Sequence, residues 1–127
     1  MRARYQENAP PQLDWAALGE KIEKVIELND AGPLFVRLAW HAAGTYSKYN
    51  KDGGSTGATM RFAPESEHGA NAGLDKARQM LAQLTWEYPN LSTADLWAFA
   101  GCVAISSMGG PKVAFRPGRK DGQADDC

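Results

Sequence analysis

The run LWAFAGCVAI, Leu96 to Ile105, carries no charged side chain and is apolar on every side when wound as a helix. Such a helix cannot lie on a surface. It must be surrounded by elements that bring apolar faces of their own. Ser92, three residues before Asp95, marks its start as a capping box with Asp in place of Glu, and Gly109-Gly110-Pro111 marks its end. Ten residues are about half of the roughly 20 needed to span a bilayer, so no membrane is expected as a partner.

Three further helical segments can supply the surround. From Asp14 to Leu28, Ala17, Leu18, Ile22, Val25 and Ile26 share one face, and Glu20, Lys21, Glu23, Lys24 and Glu27 share the other. A second helix is expected to open at Asn29-Asp30 and run to about Thr45, with Pro33 near its start, where the first N–H groups lack partners anyway. A third should run from about Asn71 to Trp86 with Leu74, Ala77, Leu81 and Leu84 inward, stopping near Tyr88 because Pro89 disfavours helix in the residue before it. Between the second and third lies a long loop, 46–69, broken by Gly53-Gly54, Gly57 and Pro64; loops of that length are often functional. No stretch alternates convincingly enough to argue for a strand. The expectation is an all-α domain of about four main helices over 13–121, preceded by an N-terminal extension, 1–12, and followed by a tail or truncation point, 122–127.

Charge and cysteine usage narrow the function classes. With 14 Lys and Arg against 15 Asp and Glu, the net charge is −1, which gives no sequence-wide field for a phosphate backbone, so nucleic acid is not expected. Cys102 and Cys127 provide neither a disulfide framework nor metal-ligand spacing. The opening MRARYQENAPPQ has no apolar core segment of a secretory signal, which points to an intracellular compartment, cytoplasm or mitochondrion.

The chemistry concentrates in the second helix. In VRLAWHAAGTY, Arg37, Trp40 and His41 are three and four residues apart and so meet on one helical face. The plain reading is a core tryptophan, an arginine reaching to water and a half-buried, satisfied histidine. Against it, the helix is otherwise apolar (Leu34, Phe35, Val36, Leu38, Ala39, Ala42, Ala43), and a guanidinium beside an imidazole there is costly unless something satisfies both. Together they suggest the wall of a polar pocket.

PLFVRLAWHAAGTY resembles the distal helix of the intracellular haem peroxidases, the class containing ascorbate peroxidase, cytochrome c peroxidase and catalase-peroxidase. The resemblance continues through GGSTGATMRF, EHGANAGLDKAR and YPNLSTADLWAFAGCVAISSMGGPKVAFRPGRKD, about Gly32 to Asp121, in the family's order. Trp40 before His41 points to this class, because secreted peroxidases usually carry Phe there. The resemblance implies the distal helical domain of the haem peroxidase fold and the reduction of hydrogen peroxide at the expense of an electron donor. It makes His41 the acid–base residue that takes a proton from one peroxide oxygen and returns it to the departing one, a task suited to an imidazole pKa of roughly 6.5. Arg37 would stabilise negative charge as the O–O bond breaks heterolytically. Asn71 would accept the Nδ1–H of His41, with helix capping as its plainer role. Glu65 would support Asn71 or be a solvated loop carboxylate. Trp40, Arg37 and Pro33 would contact the cofactor, haem b. His68 reads as a surface histidine.

The resemblance also implies what must come from elsewhere. The family's proximal histidine follows the region matched here, and neither His41 nor His68 holds its place, so no residue of this chain is assigned as a metal ligand. The distal domain is thus expected to be truncated, and the isolated chain to show little or no turnover. Asn29 stands where ascorbate peroxidases carry an ascorbate-binding lysine, which weakens ascorbate as the donor and leaves cytochrome c or another reductant. Glu20, Glu23, Glu27 and Asp30 could only hint at an acidic docking face. The reading from another class is a haem-free helical interaction or structural fragment that keeps the pocket residues of a peroxidase ancestor.

Overall fold

The computed structural model of the protein describes residues 13–126; the expected extension, 1–12, and Cys127 lie outside them. Among the described residues the architecture is made of four α-helices: α1 (Trp15–Asn29), α2 (Gly32–Ala43), α3 (Leu74–Glu87) and α4 (Thr93–Ser107). Short 3₁₀ turns join them, and among the described residues the β pairings are isolated bridges, Ser47 with Asp52 and Gly57 with Asp121, so the all-α expectation holds.

The apolar run does what its composition requires. α4 packs most extensively on α2, then on α1, and buries Leu96, Trp97, Phe99, Ala100 and Ala104. At Gly101 it meets α2 so closely that a Cβ would come within 2.6 Å of Ala39 Cβ, an approach only glycine permits. That contact sets the rotation of α2 and therefore which of its side chains face outward. Ser92 Oγ accepts from Asp95 N at 3.0 Å, the capping bond expected at this end.

α1 buries Leu18, Ile22 and Ile26 as its periodicity predicts, and adds Trp15. The Trp15 ring meets Phe99 of α4 edge-on at 5.0 Å and Phe115 of the segment after α4 at 5.1 Å, while Phe99 and Phe115 are 5.0 Å apart, giving a trio of mutually touching aromatic rings. Lys21 bonds Glu87 and ties α1 to the end of α3.

Two helix boundaries differ from the sequence expectation. Asn29 and Asp30 end α1 rather than open α2: Asn29 Nδ2 bonds back to Val25 O at 2.9 Å, and Asp30 takes a left-handed cap conformation with φ 51°. Short polar residues serve either helix end, and here α1 claims them. α2 consequently starts at Gly32 without a side-chain cap, with Pro33 in its first turn, and stops at Ala43 rather than Thr45. α3 begins at Leu74, not Asn71, because Gly73 at φ 87° interrupts the helical path and Asn71 closes a 3₁₀ turn, Gly69–Asn71. The inward set Leu74, Ala77, Leu81 and Leu84 and the stop at Tyr88 are as expected.

Candidate active site

Arg37 and His41 leave α2 one helical turn apart and meet the polypeptide turns that precede α3. Asn71, buried at 7% exposure, sits between them. Its amide is held at both ends: Nδ2 donates to Glu65 O at 2.9 Å, and Oδ1 lies 3.1 Å from His41 Nδ1. The assignment of protons follows from this pair of contacts. Glu65 O can only accept, so the amide nitrogen must face it and the amide oxygen must face the imidazole; His41 Nδ1 is then the donor, and neutral His41 carries its lone pair on Nε2.

Arg37 acts on the same turn. Its Nη2 donates to Ala70 O and Ala72 O, both at 2.8 Å, the carbonyls on either side of Asn71. The backbone of the turn is closed by Asn71 N to His68 O at 2.8 Å and His68 N to Glu65 O at 3.2 Å. Glu65 and Asn71 belong to two successive 3₁₀ turns, Glu65–Glu67 and Gly69–Asn71, with His68 extended between them at ψ 137°.

These residues line an open cavity of about 310 Å³ with Trp40, His41, Gly44, Thr45 and Ala70. Trp40 is 65% exposed, so the sequence alternative that makes it a core residue does not hold. Its indole forms a broad apolar wall beside the imidazole. His68 is exposed, as expected, yet also borders the cavity, a placement that depends on the extended backbone at His68 between two turns and leaves no local pattern in the sequence. Arg37 does not line the cavity, being turned toward the carbonyls of the turn, and Pro33 lies exposed at the opposite end of α2. The structure thus brings His41, Asn71, Trp40 and Glu65 together, with Arg37 bracing them from behind. Among the described residues no group of three or more His, Cys, Asp or Glu could hold a metal ion, and no helix is long and apolar enough to cross a membrane.

A family model described as peroxidase matches residues 18–127. The chain is 56% identical over 118 residues to a protein named cytochrome c peroxidase, mitochondrial, of Aspergillus fumigatus, covering 91% of this chain and 32% of that one. Proteins of the same name from Emericella nidulans and Neurospora crassa are 49% identical over 118 residues and 48% over 125, covering 91% and 94% of this chain and 33% and 35% of theirs. The chain therefore spans about a third of the length of these relatives. With the match running from α1 through α4 and over every residue that lines the cavity, the chain belongs to the peroxidase family and, within it, resembles the class I haem peroxidases of the cytochrome c peroxidase kind.

Proposed function

We propose that this chain forms the peroxide-handling face of a haem peroxidase that reduces hydrogen peroxide to water. The observation that carries the reading is the Glu65 O–Asn71–His41 chain, which leaves Nε2 of His41 as a proton acceptor beside an open cavity. From that atom His41 takes a proton from one peroxide oxygen and returns it to the other as water departs, with Asn71 holding the ring so that Nε2 points outward throughout. Arg37 supplies fixed positive charge behind the turn, favouring the charge separation of O–O cleavage.

The residues present suit one face of a flat apolar macrocycle. Trp40 offers an exposed indole next to the imidazole, on a helix whose Phe35 and Leu38 are turned into the core. Trp40, Arg37 and Pro33 are proposed to contact haem b, which when bound supplies the electrons that cleave the peroxide bond. The relatives' names support cytochrome c as the reductant and the mitochondrion as the compartment. Asn29, in place of the ascorbate-binding lysine, argues in the same direction.

The test is a chimera in which residues 13–121 replace the matching third of the Aspergillus fumigatus relative. Stopped-flow mixing of the haem-loaded chimera with hydrogen peroxide should give a fast reaction that His41→Ala slows by roughly 10²–10⁴-fold, the usual range for general acid–base catalysis, and Arg37→Leu slows less. Equal rates for the chimera and its His41→Ala variant would remove His41 from the mechanism.

A further inference from the structure

We propose that Thr59 is a positioning residue for His41, acting at a distance through Glu65. The 3₁₀ turn Thr59–Arg61 presents the Thr59 hydroxyl to Glu65, and Oγ1 donates to Glu65 Oε1 at 2.6 Å, the short distance of a hydrogen bond to a charged acceptor. Glu65 is the residue whose backbone carbonyl receives both Asn71 Nδ2 and His68 N. Fixing its side chain at one end fixes the direction of that carbonyl at the other, and through Asn71 the protonated nitrogen of His41.

The tether has a second effect. Glu65 lines the same cavity as His41 and His68, and a carboxylate released there would be free to approach either imidazole and favour its charged form, which cannot accept a proton. Thr59 holds it to the wall. Thr59 is itself well anchored: Ala58 before it takes φ 48°, and Arg61 after it donates through Nε to Ala58 O at 2.9 Å and through Nη2 to Gly57 O at 3.2 Å and Gly122 O at 2.7 Å. The inference rests on His41 being the base, yet its test needs neither haem nor turnover.

The experiment measures the tautomer of His41 in the 127-residue chain with ¹⁵N-labelled histidine, by long-range ¹H–¹⁵N correlation at a pH where the ring is neutral. The parent chain should show the Nδ1–H form. Thr59→Val should shift the ratio toward Nε2–H by roughly fivefold, the effect of losing one typical net hydrogen bond, whereas Thr59→Ser should restore the parent spectrum. Glu65→Ala removes the same bond without leaving a carboxylate in the cavity, so it should shift the neutral-ring tautomer in the same direction as Thr59→Val, and adding Thr59→Val to it should change nothing further. Should Thr59→Val lose its helix content, Glu65→Ala carries the comparison alone. Asn71→Ala separates the two levels of the argument: if it changes the tautomer and neither Thr59→Val nor Glu65→Ala does, the role of Thr59 is overturned while that of His41 stands. If Asn71→Ala also leaves the tautomer unchanged, the reading of His41 as an oriented base falls with it.

Discussion

Two regions of this molecule concentrate polar groups, and they use them in opposite ways. At the start of α4, Asp95 is 6% exposed and its carboxylate accepts from Gly118 N at 2.9 Å and from Arg119 N and Nη1 at 3.1 and 3.2 Å. Asp121 caps the same helix end from the later segment, its two oxygens receiving Thr93 N and Ala94 N, each at 2.9 Å. Both carboxylates are spent on closing the fold. Around His41 the bonding is as dense on the side of the turn, but it stops at Nδ1, and the indole next to it faces outward. Satisfied groups make the first region a latch; an imidazole whose second nitrogen faces a cavity makes the second a candidate site.

The contrast can be broken from its strong side first. Asp95→Ala removes three acceptor bonds and strands two backbone N–H groups, so it should lower unfolding free energy by about 3 kcal/mol, read from urea melts of the 127-residue chain. A change below about 1 kcal/mol would mean that the latch is not what holds the segment after α4.

Gly101→Ala lies between the two regions. Its Cβ would meet Ala39 Cβ at 2.6 Å, so α2 and α4 must separate, at a cost of about 1–3 kcal/mol typical of overpacking. Because α2 also carries His41, the variant should alter the His41 imidazole signals as well as the melting curve; a destabilised chain with an unchanged His41 spectrum would show that the turn holds the imidazole independently of the core.

The smallest effect concerns Cys102, on α4. Burial pushes its thiol above the ordinary range, and the positive charge of Arg119 offsets only part of that. Iodoacetamide labelling near pH 8 should therefore be a few-fold slower in the folded chain than in urea, with the midpoint of its pH dependence displaced upward. Because the folded state favours the protonated thiol, the associated stability is present below the unfolded thiol's pKa and is lost as pH rises through the higher folded value. Labelling at equal rates in both states would place Cys102 in water.

The sequence carried α4, α1 and the inner face of α3 because each is a periodic pattern of apolar residues, and burial follows period directly. It carried Arg37, His41 and Trp40 because i, i+3 and i+4 positions on a helix are neighbours whatever the tertiary context. It did not carry the assignment of Asn29-Asp30, since the same short polar side chains cap either end of a helix. Nor did it reveal the meeting of Trp15, Phe99 and Phe115 or the reach of Asp121 to α4, which depend on how distant segments return and leave no local pattern. Thr59 belongs with these: its hydroxyl matters through a partner six residues on, across a turn bent by a left-handed Ala58.

One nitrogen of Arg37 grips the carbonyls on both sides of Asn71. The positive charge and the turn that holds the His41 ring therefore share a single mechanical part. Replacing Arg37 by an uncharged residue releases the turn as well as removing the charge. Kinetic losses at Arg37 and Asn71 should accordingly overlap rather than add, as they do for residues that work as a unit. The electrostatics of the site is inseparable from its carpentry.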